Sequence, residues 1–350
     1  MEYTNLYELI IYLLNLAGIY EPLSSALEQF GAGYLLNLTI YTVEALMLFG
    51  FAAVCVLALT YMERKVLADV QIRLGPMVAG PHGILQPITD AVKLLFKEDI
   101  QPKKRDKVLY FFAPVVIFAS TYLLLTVIPL DEGIVFANVG IGLLLFIAVS
   151  SITPLGVLIA GYASGNKYSL LSSVRSAAQM MSYEIPVVLV ALSVIVLAGS
   201  MNLTDIVHKQ ESLWFFVLLP VGFFVFFITT IAEMGRTPFD TIEAESELVA
   251  GYHIEYSGMR FAFFFLAEYL HLFIGCALIT VLFLGGWSGP FLPGIIWFFI
   301  KTFLLIYVLI WIRGTLPRFR IDQVLNLGWK YLIPLALINL GWSGVAAFLI

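Results

Sequence analysis

The chain has 350 residues, of which 61% are hydrophobic and 12% are charged, and its mean hydropathy is +0.95. This composition excludes a soluble globular protein and indicates a polytopic membrane protein. The formal net charge of −5 says little about partners, because most acidic residues lie in particular loops.

The first 40 residues contain no lysine or arginine, so they lack the positive start of an ordinary signal peptide. Their apolar run, Leu6 to Ala17, is too short to cross a bilayer and favours a helix lying at the outer interface. We therefore predict an N-terminal extension over residues 1–40, on the outer side, followed by a membrane domain over residues 41–350.

Apolar runs of about 20 residues, the length of a membrane-spanning helix, recur eight times in that domain. They lie at Tyr41–Met62, Val108–Pro129, Val139–Tyr162, Tyr183–Gly199, Leu213–Ala232, Phe261–Gly286, Leu292–Arg313 and Trp329–Leu349. The predicted fold is therefore all-α, with eight transmembrane helices. The fourth run is short, and we expect it to extend backward to about Ser169 as one long tilted helix that directs Arg175, Gln179 and Glu184 inward.

The distribution of lysine and arginine predicts the orientation, because these residues are concentrated in cytoplasmic loops. Seventeen of the 19 lie in four segments, at 62–107, 164–175, 232–260 and 313–330. The exceptions are Lys209 and Lys301. We expect the four segments on the cytoplasmic side, or an equivalent inner side, and both termini outside.

The first of these segments begins with a cluster of charge at Glu63, Arg64 and Lys65. Anchoring at the membrane interface is one explanation for its two cations, but it explains Glu63 less easily. Gly-Pro pairs at positions 75–76 and 80–81 then predict a folded loop rather than a continued helix.

A short amphipathic helix is predicted after that loop, and Pro87 suits its first turn. Asp90, Lys93 and Lys97 would form a polar stripe along it. The opposite side would be apolar, with Ile88, Val92, Leu95 and Phe96. A helix lying on the bilayer surface would show the same pattern, so both interpretations stay open.

Two predicted spans carry ionisable residues at membrane depth. Glu184 lies two residues before Pro186, and Glu268 is followed three residues later by His271. A carboxylate in lipid is costly, so Glu184 should face a polar interior, either as a proton relay or as the partner of Arg175. For Glu268 and His271, a neutral hydrogen-bonded pair that only fixes helix packing is the alternative.

The stretch from Ala232 to Tyr256 concentrates acidic residues between two predicted spans. It contains Glu233, Asp240, Glu243, Glu245, Glu247 and Glu255. Asp240 and Glu243 have the spacing of a capping box, and Gly251 suits a C-terminal stop, so part of the stretch is predicted to be helical. Glu243 and Glu247 would share one face, where like charges repel, so stability alone does not require them. A solvated acidic loop is the alternative.

Redox-active ligands are scarce in this sequence. Cys55 and Cys276 fall inside predicted spans without CxxC spacing, and His271 is the one histidine in a span. An iron-sulfur cluster, a zinc site or a two-histidine haem held by this chain is therefore not expected. Nucleotide-binding and hydrolase motifs are also missing from the sequence.

Ordered motifs from about Glu63 to Lys330 give the chain a specific resemblance. They include ERKVLADVQIRLGP, GILQPITDAVKLLFKED, AGYASGNKYSLLSSVRSAAQMMSYEIP, RTPFDTIEAESELVAGYHIEYSG, FLAEY and TLPRFRIDQ. The chain resembles the H subunit of respiratory complex I, called subunit 1 in mitochondria. The resemblance implies an eight-helix protein whose second to sixth helices are similar to half of an antiporter-like subunit.

The resemblance also implies a role and partners. Family members form the membrane part of a quinone chamber that two peripheral-arm subunits complete, one of them carrying the terminal iron-sulfur cluster. Quinone is then the substrate, FMN and iron-sulfur clusters belong to partner subunits, antiporter-like subunits adjoin in the membrane, and nucleic acid is not a partner. The chain itself would hold no redox centre or metal.

Site residues carry over from the family position by position. The quinone chamber would involve Glu63, Arg64, Asp90, Ala91 and Lys93. Proton coupling would involve Glu184, Glu233, Asp240, Glu243, Glu245, Glu247, Glu255 and Glu268. The chain departs from the family where GPMVAGP lacks an Asn-Arg pair, where Gly235 replaces an asparagine, and where the third helix lacks an acid.

The sequence thus predicts the quinone-channel subunit of a proton-pumping NADH (or ferredoxin) quinone oxidoreductase, with chamber loops at 63–107, 232–260 and 313–330. The alternatives are a quinone-independent cation or proton antiporter, the related subunit of a membrane-bound hydrogenase, and a structural adaptor. The quinone type, the electron donor and the choice between H⁺ and Na⁺ are open at this stage.

Overall fold

The structure is a computed structural model that describes residues 33–240 and 251–349. This part of the chain is helical and contains no β-strand, only an isolated bridge between Asp131 and Ile134. Its α-helices are α1 (Gly33–Val70), α2 (Gln86–Phe96), α3 (Lys107–Val127), α4 (Gly142–Ser150), α5 (Ile152–Ala163), α6 (Lys167–Ala198), α7 (Leu203–Lys209), α8 (Phe215–Leu218), α9 (Pro220–Glu233), α10 (Gly258–Phe283), α11 (Gly294–Thr315), α12 (Ile321–Leu327) and α13 (Ile333–Leu349).

Seven helical stretches in the described residues are long and apolar enough to cross a membrane. They are α1, α3, α4 with α5, α6, α10, α11, and α12 with α13. The predicted all-α polytopic membrane fold is therefore confirmed. The remaining predicted span is divided at Leu219 into α8 and the shorter apolar helix α9.

Pro220 explains this division of the fifth predicted span. Proline has no N–H to continue the hydrogen bonds of α8, and it disfavours helical angles in the residue before it. Leu219 accordingly has φ −124° and ψ 58°, outside the helical region. The predicted count of eight spans is reached only when α8 and α9 are counted together.

The helix α1 is longer than predicted at both ends. It contains 38 residues, which corresponds to about 57 Å at 1.5 Å per residue. The apolar run assigned to the first span ends at Met62, and the helix continues beyond it to Val70, so that it includes Glu63, Arg64 and Lys65. Residues 1–32 lie outside the described part, so the interfacial helix expected there stays a prediction.

The fourth predicted span does extend backward, as expected. The helix α6 begins at Lys167, where the Asn166 side chain caps it by accepting from the Tyr168 N–H at 3.0 Å. It ends before Gly199, whose φ of 70° is left-handed. Asparagine at an N-cap and glycine after the last turn are the usual boundaries of a helix.

The four segments rich in lysine and arginine meet at one end of the bundle. The N–H of Ile100 donates to Ser257 Oγ at 2.8 Å, and the N–H of Phe319 donates to the Pro238 carbonyl at 2.9 Å. The N–H of Asp106 donates to the Ala163 carbonyl at 3.0 Å, next to the second segment. The segments therefore share one face, as predicted, and their assignment to the cytoplasmic side stays a prediction.

Lys301 is an exception to that charge distribution, and its hydrogen-bond partners lie at the opposite end of the bundle. Its Nζ donates to the carbonyls of Leu284, Gly286 and Ser288 at 2.6, 3.1 and 2.7 Å. The side chain also lies over the Trp214 ring at 4.6 Å. Lys301 thus closes the turn between α10 and α11 instead of contributing to orientation.

Candidate functional site: a buried charge network beside a polar cavity

The carboxylate of Glu63 lies inside the bundle, where it contacts two arginines. Arg236 Nη1 donates to both carboxylate oxygens, at 3.1 and 3.2 Å, and Arg313 Nη1 contacts Oε1 directly. Glu63 is only 5% exposed. A buried carboxylate is stable when such partners compensate its charge, so three distant parts of the chain are held together here.

Arg236 also continues the network toward the membrane interior. Its Nη2 lies 2.7 Å from Glu268 Oε1, and its guanidinium lies 4.7 Å from the centre of the Tyr269 ring. One arginine therefore pairs with an acid that the resemblance places in the quinone chamber and with an acid that it places on the proton route. Sequence reasoning counted Arg236 and Arg313 only as loop cations and missed this role.

The backbone around Arg236 is fixed from α6. The fully buried amide of Gln179 donates to the carbonyls of Ala232 and Phe239, at 2.7 and 2.9 Å, on either side of the arginine. Between them, Gly235 has a φ of 65°, a left-handed conformation. Glycine adopts it without strain and asparagine tolerates it, so the departure from the family at this position preserves the loop.

The first predicted loop places Arg64 against Asp90. Arg64 Nη1 lies 2.5 Å from Asp90 Oδ2, and Gln86 Nε2 donates to Asp90 Oδ1 at 3.1 Å. Ala91 and Lys93 lie on the same helix, α2, and are exposed. The predicted short helix is confirmed, and its apolar residues are also exposed in this chain, namely Ile88, Val92, Leu95 and Phe96.

The two described ends of the acidic stretch are tied to neighbouring segments. Asp240, 7% exposed, pairs with Arg318 at 2.8 Å. Glu255 Oε1 accepts from Asn166 Nδ2 at 2.7 Å. These ends do not fit the alternative of a solvated acidic loop. Glu243, Glu245 and Glu247, with the helix expected to contain them, lie outside the described residues.

Burial also shifts the pKa values of two side chains at the end of this stretch. The second described range begins at Gly251 with a short 3₁₀ turn. This range contains Tyr252, His253 and Tyr256. Burial lowers the pKa of His253, and the charge of Glu268 acts in the opposite direction. Burial raises the pKa of Tyr256, whose ring stacks on Tyr110 at 4.2 Å between centroids.

A polar cavity of about 50 Å³ lies beside Glu268, inside the bundle. Its polar lining comes from α3, α4, α5, α9 and α10, through Thr121, Ser150, Thr153, Glu233, Glu268 and His271. The break between α4 and α5 at Ser151 lies next to it, and Pro154 removes a backbone donor there. About three water molecules would fit this volume.

Two of the three predicted acids at membrane depth line this cavity. Glu233, at the end of α9, and Glu268 both line it. Glu184 on α6 is half-buried, and its charge acts on Glu233. Glu184 therefore interacts electrostatically with Glu233, and Glu233 shares the cavity with Glu268. The role of Arg175 as a partner of Glu184, which was the alternative, stays a prediction.

The described residues contain no group of three or more His, Cys, Asp or Glu side chains that could hold a metal ion. The free cysteines Cys55 and Cys276 are buried in α1 and α10. Within the described part of the chain, then, the polar network consists of ion pairs and hydrogen bonds.

These features define a class: a polytopic α-helical membrane protein with buried ion pairs at one face and a polar, acid-lined cavity inside the bundle. A protein-family profile described as NADH dehydrogenase matches residues 43–344. The chain belongs to this NADH dehydrogenase family. The resemblance stated from its motifs is thereby confirmed.

Curated relatives are named as the H subunit of NADH-quinone oxidoreductase. The one from Geobacillus thermodenitrificans is 49% identical over 321 residues, covering 90% of this chain and 93% of the relative. The one from Brevibacillus brevis is 52% identical, covering 80% and 85%. The one from Bacillus cereus is 51% identical, covering 83% and 88%.

Proposed function

We propose that this chain is the quinone-channel subunit of a proton-pumping NADH-quinone oxidoreductase. The observation that carries the proposal is the double ion pair of Arg236 with Glu63 and Glu268. It joins the region in which a quinone would bind to the acids that would move protons. Family membership supports this role over the antiporter, hydrogenase and adaptor alternatives.

The quinone end of the network is formed by Glu63, Arg64, Asp90, Ala91 and Lys93. A quinone is neutral and offers carbonyl acceptors, which Arg and Lys side chains can bind as donors. Arg64 is oriented by its pair with Asp90, which holds the first loop against α1. Quinone reduction consumes protons together with the electrons from partner subunits, so protons must reach the chamber from its surroundings.

The proton end consists of Glu184, Glu233 and Glu268, with Asp240, Glu243, Glu245, Glu247 and Glu255 in the acidic stretch. When a negative charge develops near Glu63, Arg236 is drawn toward it, and its pairing with Glu268 weakens. A less compensated Glu268 binds a proton more readily, because an opposite charge nearby favours the ionised form. Competition between two carboxylates for one guanidinium thus supplies an element with two states, which coupling requires.

Electrons would come from partner subunits that carry FMN and iron-sulfur clusters. The peripheral-arm subunits, including the one with the terminal cluster, would cover the face formed by the four basic segments. Antiporter-like subunits would adjoin in the bilayer. The protein would lie in a bacterial inner membrane or an equivalent energy-converting membrane, with both termini outside.

Photolabelling tests the quinone part of this proposal. In the assembled complex, a photoreactive quinone analogue should label residues 63–107 of this chain, and unlabelled quinone should compete with it. Labelling confined to other subunits would contradict the assignment.

Replacing Arg236 tests the coupling part. In inverted vesicles, Arg236→Gln should impair proton pumping driven by quinone reduction, because the link between the two acids is lost. Lys209→Gln is the control, since Lys209 is an exposed cation outside the proposed chamber loops. Normal pumping with normal turnover in Arg236→Gln would remove this residue from the mechanism.

A further inference from the structure

The histidine of α10 takes no part in the network described above. His271 lies three residues after Glu268, about 4.5 Å further along the helix axis, and near the middle of α10. It lines the same polar cavity as Glu233 and Glu268. Its position is therefore deeper in the bundle than that of Glu268, on the side away from the quinone chamber.

The polar contacts of His271 are incomplete within the described residues. Its Nδ1 is buried there and has no hydrogen-bond partner. A buried polar atom without a partner is costly and calls for a specific explanation. The packing alternative raised from the sequence, a hydrogen-bonded pair of Glu268 and His271, does not account for this atom.

Two of the hydroxyl groups that line the cavity, those of Thr121 and Ser150, already donate to backbone carbonyls, so toward a cavity water they can act only as acceptors. Thr121 donates to the Ile117 carbonyl at 2.8 Å, and Ser150 donates to the Ile147 carbonyl at 2.9 Å. Both residues line the cavity, which has room for about three waters. Such waters would find acceptors in the hydroxyls and carboxylates and a partner in the imidazole.

We propose that His271 carries protons beyond Glu268, exchanging them with Glu268 and Glu233 through waters held by Thr121, Ser150 and Thr153. The proton leaves a carboxylic acid, passes along the waters and forms imidazolium, so one O–H bond is broken and one N–H bond is formed. This inference rests on the proposed function and extends it. It also explains how a chain without an acid in α4 and α5 continues its proton route.

Substitutions at position 271 test whether a titratable group is needed. His271→Gln preserves hydrogen bonding but cannot be protonated, so in inverted vesicles the protons pumped per electron should fall while uncoupled quinone turnover persists. Removing a proton-transfer group typically slows the step by about 10²-fold or more. His271→Glu should restore pumping, whereas a purely structural role predicts no such rescue.

A matched control is His208→Gln, since His208 is a half-exposed histidine outside the cavity. Pumping in that variant should equal that of the unmodified complex. Normal pumping in His271→Gln would overturn the proposal for His271 while leaving the role of Arg236 intact. Normal pumping in Arg236→Gln would instead overturn the proposed coupling through Arg236, so the two failures are distinguishable.

A measurement on the unmodified complex covers the case in which His271 variants do not assemble. A high-resolution density map should show ordered water between His271 Nδ1 and Glu268. A dry cavity, or an Nδ1 bonded to a partner subunit, would refute the proposal.

Discussion

Glu63 on α1 and Arg313 on α11 are in direct contact although 250 positions separate them in the chain. Arg313 ends a membrane span in the sequence, where anchoring at the interface explains a cation sufficiently. In the structure its guanidinium instead shares a buried carboxylate with Arg236. Contact between α1 and α11 thus sets the charge balance around the proposed quinone site.

Loss of the Glu63 charge should destabilise the protein strongly. Glu63→Gln leaves Arg236 and Arg313 without their shared carboxylate, and breaking a buried ion pair costs about 3–5 kcal/mol. Thermal unfolding of the purified complex should show that this chain unfolds at a lower temperature in the variant. Asp322→Asn is the control, because it breaks an exposed pair with Arg320 that contributes about 0–1 kcal/mol. Equal effects of the two substitutions would contradict the buried network.

Lys301 should stabilise the turn between α10 and α11. Lys301→Met leaves the carbonyls of Leu284, Gly286 and Ser288 without a donor, and a hydrogen bond to a charged group contributes about 1.5–3 kcal/mol. Limited proteolysis in detergent should cut this turn faster in the variant. Lys209→Met removes an exposed lysine near the same end and should not change the cutting rate.

Stability should depend on pH through His253. Because burial lowers its pKa below the ordinary value of 6.5, the unfolded chain binds a proton at mildly acidic pH that the folded chain does not. Stability is therefore highest above pH 6.5 and falls as the pH drops below that value. Thermal melts from pH 7.5 downward should show a smaller decline in His253→Gln. His82→Gln, which changes an exposed histidine, should behave like the unmodified chain.

Gly161 should be required for the packing of α5 against α6. A Cβ at this position would lie 2.1 Å from Ser173 Oγ and 2.7 Å from the Ser169 carbonyl. Gly161→Ala should lower stability by about 1–3 kcal/mol, as overpacking typically does. Gly50→Ala is the control, because nothing lies within 4 Å of a Cβ there. A melt unchanged by Gly161→Ala would show that the helices can separate without cost.

Local signals in the sequence explain which elements were predictable. The short helix after the first loop is recognisable from Pro87 and its amphipathic pattern. The backward extension of α6 is recognisable because the apolar run of the fourth span is short and is preceded by residues that can continue the helix. The division between α8 and α9 was missed although Pro220 marks it, because a hydrophobic run of spanning length dominated the interpretation. The continuation of α1 to Val70 was not predicted, because charged residues such as those from Glu63 to Lys65 commonly mark the end of a membrane span.

The amino-acid sequence by itself determined the membrane class, the spans, the grouping of the basic segments and the family, because hydropathy, cation distribution and ordered motifs are properties of residues close together in the chain. Only the tertiary structure decided that Arg236 joins Glu63 to Glu268, that Gln179 fixes the loop around it, and that His271 shares a cavity with two acids. These relationships connect helices that are far apart in sequence, and their energies depend on burial and distance, which appear only once the helices pack.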